Sequence, residues 1–240
     1  MIRCNSDVQG NCVMTNETGG SAIENRKSKF ETSSKMGGWY WFGYHLSWVL
    51  ARVLFRFEVT GREKIPNEGG CILAMNHESF LDPPLAGICC RRATYFLARK
   101  TLLEWPILGP IFPKVNVVPV DQDRADMSAL KTVIRLVRGG GCTVVFPEGA
   151  RTLDGKLQPA QPGVGLVIAK TMAPVVPMRI FGAHEAFPRG GKRVRLRKIR
   201  IVVGDPVVFG EADMQGSGRE LYQRLSERVM ERIAAIRLPG

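Results

Sequence analysis

This sequence predicts an α/β fold, a mixed central β-sheet flanked by helices, and two observations carry that expectation. Short runs rich in β-branched residues alternate with stretches of helical spacing, a pattern that neither an all-α nor an all-β domain produces. The chain has 240 residues, 45% hydrophobic and 23% charged, which suits one substantial globular domain rather than a disordered chain or a polytopic membrane protein.

The elements follow in order. Residues 1–35 are rich in Asn, Ser, Thr, Gly and charge, with too few large apolar side chains for a core, and are expected to form a flexible leader. No apolar stretch or small-residue cleavage site follows the start, so a secretory signal is not expected. Residues 36–57 change character abruptly and hold Trp39, Trp41 and Trp48, three of the four tryptophans. The apolar stretch is shorter than the roughly 20 residues a membrane span needs, and Arg52 and Arg56 lie one helical turn apart. A membrane-associating aromatic helix lying in the interface is expected, with indole and phenol rings in the headgroup layer. The alternative is an amphipathic helix packed on the core.

Residues 58–240 form the main domain. Strands are expected at Phe57–Thr60, Cys71–Met75, Thr94–Leu97, Val115–Val120, Thr143–Phe146 and Val175–Ile180. Helical spacing covers Asp126–Arg138 and Gly163–Thr171. Arg219–Ile236 closes the chain with Leu221, Leu225, Val229 and Ile233 on one stripe.

Charge narrows the partners. Thirty-four Lys and Arg against twenty-two Asp and Glu give a net charge of +12, which implies an anionic partner: nucleic acid, anionic lipid or a phosphorylated substrate. The densest cluster is Arg189, Lys192, Arg193, Arg195, Arg197, Lys198 and Arg200. Its alternation with Val194, Leu196, Ile199 and Ile201 predicts a two-faced strand or hairpin with a bulge near Lys198. No aromatic residue is interleaved for base stacking, so the expected face is solvated or lipid-facing and no nucleic acid is expected. The six cysteines (Cys4, Cys12, Cys71, Cys89, Cys90, Cys142) form no CxxC pair, which fits a reduced compartment. Three histidines without ligand spacing give no reason to expect a metal.

Chemistry concentrates at two strand ends. The sequence has no GxSxG elbow, no GxxxxGK[ST] loop and no GxGxxG turn. The apolar run ending at Met75 opens into Asn76-His77-Glu-Ser-Phe-Leu-Asp82-Pro83-Pro84, in which Asp82 has the form of a helix N-cap with proline at the first helical position. Such a turn brings a carboxylate back toward the imidazole. A histidine oriented by an aspartate is a general base for a hydroxyl; a loop histidine beside a capping aspartate is the structural alternative. The second run opens into Phe146-Pro-Glu148-Gly149-Ala150-Arg151, where glycine allows close backbone approach and arginine offers a fork for phosphate.

Asn76-His77 through Asp82 resembles the NHxxxxD motif, and Phe146 through Arg151 the FPEGTR motif, of the glycerolipid acyltransferase family, which includes the 1-acylglycerol-3-phosphate acyltransferases. Ala98-Arg-Lys100 with Pro106, Gly109 and Val118-Pro-Val-Asp121 resembles its acceptor-site block, and Val176-Pro177 its terminal V/I-P motif. The matches run in family order from about residue 57 to 205.

The resemblance implies a glycerol-3-phosphate acyltransferase-like sandwich in which His77, held by Asp82, deprotonates the acceptor hydroxyl. Glu148, Gly149 and Arg151 would bind the acceptor phosphate, with Lys100 and Asn76 as further contacts. It implies no cofactor or metal, acyl-CoA or acyl carrier protein as co-substrate, a lysophospholipid acceptor and an anionic membrane surface. The implied location is the cytoplasmic face of the cell inner membrane, peripheral or monotopic. The chain departs from the pattern at Ala150 (usually Thr), Gln122 (usually Arg), Gln161 (usually Lys) and Val115 (commonly Gly).

Overall fold

The alternation of β-rich and helical stretches folds as an ordered series of elements: β1 (Arg3–Ser6), β2 (Cys12–Thr15), α1 (Gly38–Phe55), β3 (Glu58–Thr60), β4 (Cys71–Met75), α2 (Asp82–Cys89), β5 (Thr94–Arg99), β6 (Val117–Val120), α3 (Met127–Arg138), β7 (Cys142–Val145), α4 (Gly163–Thr171), β8 (Val175–Phe181), α5 (Ala183–Ala186), β9 (Arg200–Val203) and α6 (Gly218–Ala235). The structure is a computed structural model that describes residues 3–6, 12–15, 35–99, 101, 104–106, 109–120 and 127–239.

Seven strands form one mixed sheet in the order β3-β9-β8-β4-β7-β5-β6. Only the β8–β9 pair is antiparallel. β4 lies in the middle with every side chain buried, so its five apolar residues alternate between two covered faces. Cys71, Leu73 and Met75 join a core beneath α1 and α2; Ile72 and Ala74 join a second core beneath α3, α4 and α6. Helices on both faces satisfy the apolar demand of a largely parallel sheet.

α1 packs one face on the core and leaves the other exposed. Tyr40, Ala51 and Phe55 are buried and Trp48 packs edge-on against Phe57, so one face belongs to the core. The Tyr40 hydroxyl accepts the Thr94 backbone N–H at 3.1 Å and Tyr44 donates to the Ile88 carbonyl at 3.1 Å, which ties the helix to β5 and α2. The other face exposes Trp39 (62%), Trp41, Phe42, Leu46, Val49, Leu50 and Val53 (72%).

β1 and β2 pair antiparallel over four residues each, apart from the seven-stranded sheet. Two expectations are corrected. Val115 and Asn116 do not join β6: Val115 closes a short 3₁₀ turn (Phe112–Val115) and Asn116 adopts a left-handed conformation, φ 60°. The basic segment 189–199 is not a strand or hairpin. β8 ends at Phe181, opposite Arg200, and Gly182 at φ 86° turns the chain into α5, so β8 does not continue alongside residues 193–199.

α4 and α6 touch at their backbones. A Cβ on Gly165 would collide with the Tyr222 carbonyl, and the Gly165 N–H donates to the Ser226 hydroxyl at 2.8 Å. In a free helix Gly→Ala stabilises by up to about 1 kcal/mol. Here Gly165→Ala is expected to destabilise instead, by about 1–3 kcal/mol or more, because the two helices must separate. Gly163→Ala, whose Cβ would meet only the mobile end of Leu130, is expected to cost much less. Thermal denaturation of both variants checks the order, and equal melting temperatures would contradict it.

Candidate active site

β4 and β7 are parallel neighbours, so the loops that follow them leave the same edge of the sheet, and both chemical motifs meet there. Asn76 leads the first loop. It is 2% exposed; its Oδ1 accepts the Ile180 N–H at 2.9 Å, and its Nδ2 donates to the Ile180 carbonyl at 3.2 Å and to Glu78 Oε1 at 2.9 Å. These three bonds hold the Asn76 side chain inside the protein, where it clamps the loop to β8.

His77 Nδ1 lies 2.8 Å from Asp82 Oδ2. The same oxygen accepts the backbone N–H groups of Glu78 at 2.6 Å and Ser79 at 2.7 Å. Asp82 is wholly buried, and its Oδ1 has no partner among the described residues. Burial pushes the Asp82 pKa up, against His77 and the two amides, which favour the anion. Asp82 was expected as the N-cap of α2; the structure places it one residue later, with Leu81 at the cap. Pro83 and Pro84 follow and carry no N–H, so the carboxylate has no donor ahead of it and turns back over the loop.

With Nδ1–H directed at Asp82, the lone pair of the neutral imidazole resides on Nε2, an assignment made from the hydrogen-bond network. Nε2 has no hydrogen-bond partner among the described residues, and the side chain is 17% exposed. Phe146 stacks on the imidazole, with centroids 3.9 Å apart and planes at 15°. The ring is thus fixed by a carboxylate on one nitrogen and an aromatic plane on one face.

The second loop is laced to the first through the backbone of His77. The Thr152 N–H donates to the His77 carbonyl at 2.8 Å, and the His77 N–H points at Glu148 Oε1 at 3.4 Å. Gly149 at φ 73° closes this turn with an N–H bond to the Phe146 carbonyl at 3.0 Å. Only glycine adopts that conformation without strain, and a Cβ would also press on Gln161. Glu148 is buried, its Oε2 is without a hydrogen-bond partner among the described residues, and burial raises its pKa to about 7. Arg151 lays its guanidinium over the Phe80 ring, 3.5 Å from the centroid. Stacking on an aromatic plane orients a guanidinium while leaving its edge N–H groups in plane to meet an oxyanion.

Lys100 and Gln122 lie outside the described residues. Ala150 and Gln161 are exposed on the second loop. Sequence reasoning missed Glu78, whose burial raises its pKa to about 8, helped by the charges of Asp82, Glu185 and Glu148. The signal was an acid placed directly after His77, where an apolar strand opens into its loop. It also missed the platforms, Phe80 under Arg151 and Phe146 under His77. Among the described residues no group of three or more His, Cys, Asp or Glu is arranged to hold a metal ion.

A buried carboxylate, an oriented imidazole with one outward nitrogen and a stacked guanidinium can together activate a hydroxyl beside a bound anion. Comparison with known proteins points to acyl transfer. The acyltransferase family model matches residues 56–181, which include both loops. A chloroplastic 1-acyl-sn-glycerol-3-phosphate acyltransferase of Brassica napus is 28% identical over 165 residues, 67% of this chain and 47% of that one. A 1-acyl-sn-glycerol-3-phosphate acyltransferase of Bacillus subtilis is 26% identical over 152 residues, covering 62% of this chain and 73% of its own. The chain thus spans about half the length of the plant relative. The crystal structure of the 1-acyl-sn-glycerophosphate (LPA) acyltransferase PlsC from Thermotoga maritima superposes with a TM-score of 0.64 at 24% identity, over 83% of this chain and 81% of that one, and shares its fold. With more than half of its length matched, and the dyad and the glycine-arginine loop inside the match, the chain belongs to the acyltransferase family.

Proposed function

We propose that this protein transfers a fatty acyl group from the thioester of coenzyme A or acyl carrier protein to the sn-2 hydroxyl of 1-acyl-glycerol-3-phosphate, giving phosphatidate. The observation that carries this reading is the His77–Asp82 contact, 2.8 Å long and buried on its carboxylate side, with Nε2 turned outward. Nε2 takes the hydroxyl proton as the oxygen attacks the thioester carbonyl. The C–O bond forms, the C–S bond breaks, and the imidazolium returns the proton to the departing thiolate. Asp82 stabilises the imidazolium while it exists, and no covalent enzyme intermediate is needed because the thioester is already activated. Arg151, held by Phe80, grips the acceptor phosphate. Glu148 and Gly149 set the turn that aims it.

The reaction is proposed to occur at the cytoplasmic face of the cell inner membrane. The exposed aromatic and aliphatic face of α1 supports attachment in the interface. Among the described residues no helix is long and apolar enough to cross a membrane. One observation favours a second acceptor, another lysolipid such as a lyso-ornithine lipid: exposed Ala150 and Gln161 stand where the resemblance has Thr and Lys, so the loop offers fewer polar and basic contacts.

His77→Ala is expected to lower transfer of a labelled acyl chain from acyl-CoA to lysophosphatidate by about 10²–10⁴, and Asp82→Asn by a comparable factor. Wild-type protein that acylates no lysolipid from any thioester would overturn the reading. Arg151→Lys, which loses the fork but keeps the charge, should raise KM for lysophosphatidate more than it lowers kcat; an unchanged KM removes Arg151 from the phosphate site. Stability carries a separate signature. Glu78 and Glu148 hold protons in the folded protein that the unfolded chain releases near pH 4.5. The stabilisation these two groups contribute is therefore fully present below that value and is lost as pH rises to about 7 for Glu148 and about 8 for Glu78, by roughly 1.4 kcal/mol per pH unit for each group over its own range. Melting temperatures measured from pH 5 to 8 should fall, and Glu148→Gln should flatten the part below pH 7; an unaltered slope would refute the assignment.

A further inference from the structure

The basic segment that fails to become a strand has a position the sequence could not show. It leaves the rim of the active site, where the Ser79 hydroxyl donates to the Phe187 carbonyl at 2.7 Å and Arg189 Nη1 reaches the Arg151 carbonyl at 3.3 Å. It ends at the C-terminal end of α1, where the Ile199 N–H donates to the Phe55 carbonyl at 3.0 Å and Lys198 pairs with Glu58 at 2.7 Å. Between these anchors residues 192–197 are all exposed. Arg193, Arg195 and Arg197 alternate there with Val194 (49% exposed) and Leu196 (63% exposed), and no acidic residue occurs from 189 to 204. The first part of the loop walls an open groove of about 490 Å³ lined by Pro188, Gly191, Lys192, Arg193, Val194 and Arg195.

Cations would be satisfied by water alone. Aliphatic side chains held out between them are not, and an anionic lipid surface satisfies both, taking the arginines into the phosphate layer and the aliphatic tips just below it. The neighbour decides in favour of lipid. The exposed apolar face of α1, with Leu50, Val53 and Leu54, ends where this loop ends, so two segments about 140 residues apart in sequence meet at the Phe55–Ile199 bond. We propose that residues 192–197 are a second interfacial anchor, specific for anionic phospholipid, which with α1 seats the mouth of the His77 site on the membrane. The proposal rests on the lipid-acylating reading above and adds a headgroup preference to it. α1 supplies apolar affinity for any bilayer, whereas the loop supplies selectivity for negative charge.

The test is vesicle partitioning of the full chain, using phosphatidylcholine vesicles with and without 30% phosphatidylglycerol (a composition of about that order). Each of Arg193→Gln, Arg195→Gln and Arg197→Gln should lower partitioning onto the anionic vesicles about fivefold, and the triple variant roughly a hundredfold. Partitioning onto pure phosphatidylcholine should stay within about twofold, and transfer between monomeric short-chain lysophosphatidate and acyl-CoA should not change. Leu196→Asn should lower partitioning onto both vesicle types. The single variants keep the test open if the triple variant does not fold. Unchanged anionic partitioning in all variants overturns the proposal. So does a loss of transfer between monomeric substrates, which would make the loop part of the substrate site, or a loss seen only with acyl carrier protein as donor, which would make it a protein-docking site. If instead the wild-type protein transfers no acyl group while arginine-dependent vesicle binding persists, the acyltransferase reading falls and the anchor stands.

Discussion

One oxygen atom, Oδ2 of Asp82, organises the site. It accepts the His77 ring N–H and the two backbone N–H groups of Glu78 and Ser79, so it fixes the path of the loop and the tautomer of the imidazole together. Three donors on one oxygen hold a carboxylate that is wholly buried and whose own pKa burial drives upward. Its place at the start of α2 adds the positive end of a helix dipole, which lowers the cost of the buried anion further. The two prolines behind it withdraw the amides that would otherwise compete. A neutral replacement of the same shape would keep the space but lose both the orientation of the ring and the counter-charge for an imidazolium.

The sheet makes this arrangement possible because parallel neighbours deliver their loops to one edge. β4 and β7 are in register from Cys71–Cys142 to Ala74–Val145, so their loops leave the sheet together, and Phe146 stacks on His77 as they do. Backbone bonds from Thr152 to His77 and from Gln161 to Pro147 then set the depth of the second loop. The imidazole and the guanidinium of the site both stand on aromatic planes, His77 on Phe146 and Arg151 on Phe80. An aromatic plane restricts a side chain without using its hydrogen-bonding groups, so Nε2 stays available to substrate.

Three carboxyl groups, Glu78, Asp82 and Glu148, crowd around one histidine in a chain whose net charge is +12. The long-range charge of the protein favours an anionic partner, while the immediate surroundings of the base are acidic and poorly hydrated. These act at different distances. The basic surface acts outward on an anionic partner, where screening limits its reach to about 8–10 Å, and the carboxyl cluster acts on protons within the pocket.

The amino-acid sequence by itself determined which residues pair with which period, and therefore most of the fold. The apolar run at Cys71–Met75, the helical stripe of α6 and the positions of the two chemical loops all follow from spacing, because burial on one or two faces leaves a local imprint. His77 and Asp82 were legible as a pair because both lie within one turn. Tertiary structure alone decided what lies between distant segments: that Asn76 clamps its loop to β8, and that Phe80 and Phe146 are platforms. It also decided that the arginine-rich segment is a loop beside α1. Strand formation requires a partner edge, and whether an edge is vacant depends on where another strand ends, which no local pattern records.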